Sequence, residues 1–367
     1  MDIHDNRENS YITPEELIHI HRDFWDHSLK NPIINDRYSF WRRINNMITP
    51  DKNNKDAKSP VHADWKGKEA MVIKPEMLIP ERHQDFYEYD MENGDPIIYP
   101  VFNTIIPWTM VTWLPAMAGA RIMVSERGQT LWPEPYIGKG WQDMEDYGVD
   151  YNYKWLEKLT EFTAYLTDKY FPSRMISLEM FSRGPGDILL SVMDNEVAFT
   201  SLFDYPEDLK KLIMQFADLH IKWSEAQLGI ISSFKGGYCN QWGIWAPGKV
   251  TRIQEDFTVN LSEDHYREFI MPADSRVIEA SEYQVFHTHS GKPECARWVA
   301  GIDKLKALEV TIDPVSPPFE EMIGVWKEIA EKKSLIITGT ITKDQVNKIL
   351  NSLDCSGLFL DIIVNDD

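Results

Sequence analysis

The last third of the chain alternates between short apolar segments and amphipathic segments. The apolar segments read as strands that are buried on both faces, and the segments between them have the spacing of helices. A repeat of about 25 residues with this pattern is typical of parallel strands joined by helical crossovers. In chain order the segments read YQVFHTH, KPECARWVAGI, LEVTID, PPFEEMIGVWKEIAEK, SLIITG, TKDQVNKILNSL and LFLDIIV.

The same alternation of apolar and amphipathic segments begins near residue 95. IIYPVF and MISLEMF read as buried strands, and residues 151–170 and 205–228 read as amphipathic helices. With about eight strand–helix units in this stretch, we predict an α/β protein in which residues 95–367 form a (β/α)8 TIM barrel. No GxGxxG or GxxxxGK[ST] sequence supports an open nucleotide-binding sheet.

Residues 1–94 are predicted to be a helix and loop extension that packs on the barrel. The segment TPEELIHIHRDFWDHSLK offers Thr13 as N-cap, Pro14 as first helical residue and Glu16 for a capping box. We expect His19, His21 and His27 to lie on the surface of this helix. The polar residues 49–68 are expected to form a long loop.

Composition restricts the kinds of partner and the compartment. The net charge of −20 argues against nucleic acid as a partner, because phosphate binding needs clustered Lys and Arg. No apolar run approaches the roughly 20 residues that span a membrane, and the polar, acidic start is unlike a signal peptide. The three scattered cysteines form no disulfide framework, so we expect a cytoplasmic protein without a membrane partner.

The segment VFHTHSG carries the strongest candidate for chemistry. His287 and His289 are two residues apart, so on a strand they point to the same side. They could bind zinc, which takes imidazole nitrogens at about 2.0–2.1 Å. They could instead bind or protonate a substrate, or have a structural role. The local pattern supplies no third metal ligand, and the candidates are Glu255, Asp313, Cys239 and Cys295.

Further polar side chains follow the ends of other predicted strands. Because buried charged groups are costly unless they are paired or bound to metal, their concentration at one rim of a barrel indicates a functional site. Glu255 or Asp256 could act as a general acid or base. The tryptophans occur in pairs that could shape a pocket or pack in the core. The rim candidates are Glu179, Arg183, Cys239, Asn240, Gln241, Trp242, Gln254, Glu255, Asp256, Asp313, Thr338 and Asp361, and the tryptophan pairs are Trp108 with Trp113, Trp132 with Trp141 and Trp242 with Trp245.

Three segments resemble the uroporphyrinogen decarboxylase superfamily over roughly residues 95–364. One family segment contains an Asp, then Leu-Ser, then a helix with a proline, and then a strand that ends in His-x-Cys or His-x-His. The matching segment here is IQEDFTVNLSEDHYREFIMPADSRVIEASEYQVFHTHSG. In it we predict a helix capped by Ser262 and ended or kinked at Pro272. GPGDILLSVMDNEVAFTSLFDYPEDLKKLI resembles its Gly-Pro, apolar strand and long helix, and SLIITGTITKDQVNKILNSL its last strand and helix.

The superfamily has two main branches, and this chain resembles one of them more. The decarboxylase branch binds substrate carboxylates with an Arg-rich motif, which RYSFWRR, with Arg37, Arg42 and Arg43, does not match. In the corrinoid-dependent methyltransferase branch, zinc is bound by His-x-Cys and a later Cys. His287 matches that His, His289 stands where the Cys would be, and LFLDIIVND has no later Cys. The loss of both cysteines favours an oxygen- or nitrogen-linked methyl donor over a thiol.

The resemblance implies a methyltransferase that moves a methyl group from a small O- or N-methylated substrate to a corrinoid. The chain has no DxHxxG corrinoid signature, so the corrinoid would be carried by a partner protein. The expected partners are that corrinoid protein, the methylated substrate and a second copy of the chain in a homodimer. The expected metal ligands are His287, His289 and Glu255; Asp313 is an acid–base group, and substrate contacts are Glu179, Arg183, Gln241, Trp242 and Trp108.

Two other functions remain open from the sequence. The first is a metal-independent decarboxylase or lyase, in which His287 and His289 move protons and Arg183 binds a substrate carboxylate. The second is a barrel without catalytic activity that binds a sugar or a methylammonium ligand on its aromatic side chains.

Overall fold

The structure is a computed structural model. It describes residues 12–36, 39–40, 70–83, 96–108, 112–125, 131–138, 140–141, 149 and 151–365. The predicted loop at 49–68 and the three arginines of RYSFWRR lie outside these residues. No helix among the described residues is long and apolar enough to span a membrane.

The described residues form a mixed α/β fold. The strands are β1 (Ile33–Asn35), β2 (Ala70–Ile73), β3 (Ile97–Ile98), β4 (Val101–Phe102), β5 (Thr104–Ile105), β6 (Arg121–Ser125), β7 (Leu131–Glu134), β8 (Met175–Ile176), β9 (Tyr238–Cys239), β10 (Trp245–Ala246), β11 (Val250–Gln254), β12 (Tyr283–His289), β13 (Ala307–Thr311), β14 (Ser334–Thr342) and β15 (Leu358–Asn365). The α-helices are Pro14–Trp25, Trp113–Met117, Lys154–Tyr170, Pro185–Val192, Asn195–Asp204, Pro206–Leu228, Glu263–His265, Met271–Glu279, Pro293–Ala300, Phe319–Ala330 and Lys343–Ser352. A π-helix spans Tyr266–Ile270, and 3-10 helices span Pro75–Met77, Pro80–His83 and Asp256–Asn260.

The centre of the fold is a six-stranded parallel sheet in the order β1-β15-β14-β13-β12-β11. Strand β1 therefore joins the sheet from within the predicted N-terminal extension. Beyond β11, a parallel bridge links Gln254 to Arg183, and β8 pairs in parallel with β5. The pairings among described residues do not include one between β1 and β5, which would close the ring. The α/β class and the parallel sheet are confirmed, and the closed (β/α)8 barrel stays a prediction.

The two faces of the parallel sheet pack against different apolar clusters. Along β12 to β15 one face carries Val285, Ala307, Ile336 and Phe359, which pack with Phe24 and Trp242. We call this the inner face. The opposite face carries alternate residues that pack against the helices between the strands: Phe286, Leu308, Ile337 and Leu360. This alternation fixes which side chains share an environment, because successive residues of a strand point to opposite faces.

The N-terminal helix Pro14–Trp25 begins where the sequence predicts. Thr13 accepts a hydrogen bond from the Glu16 backbone N–H, and the Glu16 carboxylate accepts one from the Thr13 N–H, as a capping box requires. The surface prediction for His21 is wrong. Its ring is fully buried between the carbonyl of Pro100 and the backbone N–H of Trp245, so it joins this helix to the rest of the fold.

Two further local predictions need correction. Of the two outcomes predicted at Pro272, an end of the helix is wrong, because the helical segment that follows Ser262 continues past it. A π-helical stretch at Tyr266–Ile270 precedes an α-helix that continues from Met271 to Glu279, and the wider turn accommodates a proline that lacks an N–H donor. The apolar stretch ILLSV, which the family resemblance implies to be a strand, is instead part of the helix Pro185–Val192.

Candidate metal centre

The inner face of the sheet becomes more polar towards the carboxyl ends of its strands. One row across the sheet contains Gln254, His287 and Glu309, followed by apolar residues of β14, β15 and β1. Two residues further along each strand, the next row is polar throughout: His289, Thr311, Thr338, Asp361 and Asn35. Ligands of α/β proteins bind at the carboxyl ends of the strands, so this end is the place for a site.

The two histidines of β12 face each other, as their spacing predicts. The Nε2 atoms of His287 and His289 are 3.1 Å apart, and the ring planes are nearly perpendicular at 84°. His287 is buried, whereas the side chain of His289 is 33% exposed. Both rings therefore present the same nitrogen to one point at the open end of the inner face.

A carboxylate holds the opposite nitrogen of each ring. Nδ1 of His287 donates to Glu309, and Nδ1 of His289 donates to Asp313 at 2.9 Å. An ionised carboxylate only accepts, so these contacts place the proton of each ring on Nδ1 and leave the lone pair of a neutral ring on Nε2. This is the arrangement by which proteins orient metal-binding imidazoles.

Glu309 is the most enclosed of these carboxylates. It is buried and accepts hydrogen bonds from the hydroxyls of Thr311 and Thr338 as well as from His287. The guanidinium of Arg252 lies 3.6 Å away, also buried. Although burial opposes ionisation, His287 and Arg252 lower the pKa of Glu309 to about 2. Glu309 is therefore a permanent anion behind His287.

Asp256 is the third polar group at this point. Its Oδ1 lies 3.4 Å from His289 Nε2, is shielded from solvent and has no hydrogen-bond partner. Its Oδ2 accepts from Gln254 Nε2 at 2.7 Å. One ligand atom each from Asp256, His287 and His289 lie within 4.8 Å of one another, and no other such group of three occurs in the described part of the chain.

The electrostatics of the two imidazoles differ. Burial lowers the pKa of His287, and Glu309 opposes this only in part. Burial also acts to lower the pKa of His289, but the neighbouring carboxylates of Asp256 and Asp313 outweigh it and raise that pKa to about 10. Despite burial, His289 lowers the pKa of Asp256. A cation between these groups is thus strongly favoured, whether it is a proton on His289 or a metal ion.

Glu255, predicted as a metal ligand, lies in a different environment from its neighbour. Its Oε2 accepts from the backbone N–H of Gly186 at 2.9 Å. Its carboxyl group interacts with those of Asp187 and Asp274, and burial raises the pKa of all three. Glu255 is therefore not among the groups that face the two histidines, and Asp256 takes the place predicted for it.

The other predicted site residues are spread over several environments. Glu179 is buried and accepts from the Phe181 N–H, and Arg183 pairs through its backbone with Gln254. Trp242 lies on the inner face, 6.0 Å from the Arg252 guanidinium.

Gln241 and Trp108 are also buried. The backbone carbonyl of Gln241 accepts from Thr104. Trp108 packs with Trp113 and Phe162 in the cluster beneath the helices, as a core residue does. Cys239 and Cys295 are buried free thiols in apolar clusters, and burial raises the pKa of both.

Sequence reasoning missed Glu309 and Arg252. Strand alternation was the available signal. Glu309 lies two residues before Thr311 and four before Asp313, on the face of β13 that receives the histidines. Arg252 lies two residues before Gln254 on β11. Glu309 lies inside a strand that was predicted as apolar, and Arg252 lies in a segment that was not predicted to be a strand. Only the register shows that the two residues meet.

Comparison with solved structures shows a related fold. A methyltransferase from Methanosarcina mazei superposes with a TM-score of 0.61 at 11% sequence identity, covering 96% of this chain and 92% of that chain. A β-mannanase from a symbiotic protist of the termite Reticulitermes speratus, complexed with gluco-manno-oligosaccharide, has a TM-score of 0.33 at 9% identity and covers 72% of this chain and 79% of that chain. This score is too low to indicate a shared fold. No protein-family model and no curated protein matches the sequence. The chain shares its fold with the methyltransferase.

Proposed function

We propose that the chain is a zinc-dependent methyltransferase that moves a methyl group from a small O- or N-methylated substrate to a corrinoid carried by a partner protein. Asp256, His287 and His289 would hold the zinc. In this role Asp256 replaces Glu255, which the sequence had suggested. The bond between the methyl carbon and the substrate oxygen or nitrogen would break, the reduced cobalt(I) corrinoid would supply the electron pair of the new bond to the methyl group, and the substrate atom would keep the old bonding pair and, for an ether or amine, take up a proton.

One observation carries the metal assignment: the two Nε2 atoms converge while carboxylates hold both Nδ1 atoms. Two ligand atoms of one tetrahedral zinc, bound at about 2.0–2.2 Å, lie about 3.3–3.6 Å apart. The distances here are 3.1 Å between the nitrogens of His287 and His289 and 3.4 Å from His289 to Asp256 Oδ1. Two of the three distances between the proposed ligand atoms are thus close to those of a zinc site, and all three are within 4.8 Å.

The unpartnered oxygen of Asp256 supports the same assignment. A shielded carboxylate oxygen without a hydrogen bond is costly unless a cation lies beside it, and a metal ion there would take the place of the proton on His289. Three protein ligands would leave a coordination position for substrate, as catalytic zinc sites do. The donor set of one oxygen and two nitrogens suits a methyl donor with an oxygen or nitrogen atom better than a thiolate.

Zinc bound there would act as a Lewis acid and draw electron density from the methyl-bearing atom. The chain's own residues prepare the site for this. Glu309 and Asp313 fix the orientation of the rings, and Gln254 fixes the carboxylate of Asp256. The activity itself is supported by the family resemblance and by the fold shared with the Methanosarcina mazei methyltransferase.

The first test is the metal content of freshly purified protein. We expect about one zinc per chain in the wild type and none in the His287→Ala/His289→Ala variant, measured by elemental analysis. Arg297→Met, which changes an exposed side chain paired with Glu328 and not with the histidines, should retain the metal. Wild-type protein without metal, and unable to take up added zinc, would overturn the metal assignment.

The second test addresses methyl transfer. The zinc-loaded protein is mixed with reduced free cobalamin and a panel of methyl ethers and methylated amines, and cobalamin methylation is followed by absorbance. We expect methylation with at least one oxygen- or nitrogen-linked donor and none with the double-histidine variant. A metal-loaded protein that is inactive with the whole panel, and with a corrinoid protein added, would contradict the proposed reaction but not the metal site.

A further inference from the structure

We infer that the open position of this centre selects neutral oxygen or nitrogen donors and discriminates against anionic ligands. The inference rests on the proposed metal site and specifies its substrate class. The structural observation behind it is the number of fixed charges that touch the two imidazoles or their hydrogen-bond partners.

Three carboxylates contact the histidines. Asp256 lies beside His289 Nε2, Asp313 accepts from His289 Nδ1, and Glu309 accepts from His287 Nδ1. One fixed cation, Arg252, lies behind them, 3.6 Å from Glu309. Together they leave two negative charges, which a divalent ion bound by two neutral imidazoles balances.

Arg252 is connected to both sides of the centre. One of its terminal nitrogens donates to Gln254 Oε1 at 3.1 Å, and Gln254 in turn donates to Asp256. The other terminal nitrogen faces Glu309, the partner of His287. The guanidinium is buried and packs near the ring of Trp242. It is thus a fixed part of the charge balance.

Charged groups of both signs among the described residues act on this set or on its neighbours. Glu179 acts electrostatically on Arg252, and Arg183 acts on Asp187, so these two contribute one charge of each sign.

A neutral centre in a partly buried position penalises a ligand that adds a charge. Solvent screens such charges weakly in the interior, so an anionic fourth ligand would repel Glu309 and Asp313. An ether, alcohol or amine nitrogen adds no charge. A thiolate or carboxylate substrate would need a further cation near the metal. The charge balance therefore favours neutral methylated compounds as substrates.

The test uses cobalt(II)-loaded protein, because ligands bound to cobalt change its visible absorption. Azide serves as the anionic probe and imidazole, at a pH where it is neutral, as the neutral probe. In the wild type we expect azide to bind more weakly than imidazole by about tenfold or more. Asp313→Asn keeps an acceptor for His289 and removes one negative charge. The ratio of the azide dissociation constant to the imidazole dissociation constant should therefore fall about tenfold.

Arg252→Met removes the compensating cation and should widen the difference. Arg297→Met removes a positive charge from the exposed pair with Glu328 and is the matched control, with no expected effect on the ratio. Azide binding as tightly as imidazole to the wild type, or a ratio unchanged in Asp313→Asn, would overturn the inference while the metal site stands. Failure of the wild type to bind cobalt or zinc would overturn the proposed site and the inference with it.

Discussion

Two neighbouring acidic residues, Glu255 and Asp256, follow strand β11, and only one of them faces the histidines. Alternation along β11 places Arg252 and Gln254 on the inner face, and Asp256 continues this series. Glu255 points to the helix that begins at Pro185. The alternation of side chains along β11 can be predicted from the sequence. Which alternate set faces inward cannot, because that depends on how β11 pairs with its neighbouring strand.

Because Asp256 faces the histidines and Glu255 does not, a variant of Glu255 is the matched control for a variant of Asp256. Asp256→Asn should weaken zinc binding by about 100-fold, because it replaces a charged ligand by a neutral one. Glu255→Gln should leave zinc affinity unchanged, since its carboxyl group contacts Gly186 instead of the histidines. Competition with a chromophoric chelator measures both constants. If Glu255→Gln lost the metal and Asp256→Asn kept it, the assignment would be reversed.

At the scale of elements, a buried carboxyl cluster joins the helix Pro185–Val192, the end of β11 and the helix Met271–Glu279. We name it the carboxyl cluster of Asp187, Glu255 and Asp274. Asp187 accepts from the Phe257 N–H, and the Tyr266 hydroxyl donates to Asp274 at 3.0 Å. Burial raises the pKa of Asp187 to about 7 and that of Asp274 to about 8. The folded protein therefore favours protonated forms of this cluster.

The sign of the resulting pH dependence follows from these raised values. A carboxyl group with a higher pKa in the folded state contributes stability that is complete below its unfolded pKa and is lost as the pH rises through the folded value. We expect the free energy of unfolding to fall between about pH 4 and pH 8, from the unfolded to the folded pKa of these groups, by on the order of 1 kcal/mol per pH unit. Urea unfolding at several pH values measures this decrease.

Asp274→Asn provides the control for the carboxyl cluster. Asparagine can still accept from Tyr266 but does not titrate, so the decrease in stability between about pH 4 and pH 8 should become smaller. An equal decrease in this variant and in the wild type would show that other groups cause it. Because the variant leaves Asp256 and both histidines intact, its zinc content serves as a check that the centre is still formed.

At the scale of the whole molecule, the sequence predicted what depends on local pattern. The alternation of apolar and amphipathic segments predicted the parallel strands β12 to β15, and the capping box predicted the start of the helix Pro14–Trp25. It did not predict that His21 is buried or that Arg252 meets Glu309, because these contacts join residues far apart in the chain. The histidine pair could be found because both residues lie on one strand.

The metal would connect strands that are already neighbours, and this has a consequence for overall stability. Asp256 follows β11, the histidines lie on β12, and their carboxylate partners Glu309 and Asp313 lie on or just after β13. A ligand that binds only the folded state stabilises it by about 4 kcal/mol when its free concentration is about 1,000 times its dissociation constant.

We therefore expect a chelator to lower the melting temperature of the wild type by several degrees, since a change of about 1 kcal/mol shifts proteins of 150–250 residues by about 2–4 °C and larger chains by less. The His287→Ala/His289→Ala variant should melt at one temperature with or without chelator. Differential scanning calorimetry, with zinc added back, measures both. A wild type that does not respond to chelator or to zinc would mean that the sheet gains no stability from a metal, and the two imidazoles would then be held together by the proton on His289 and its two carboxylate partners alone.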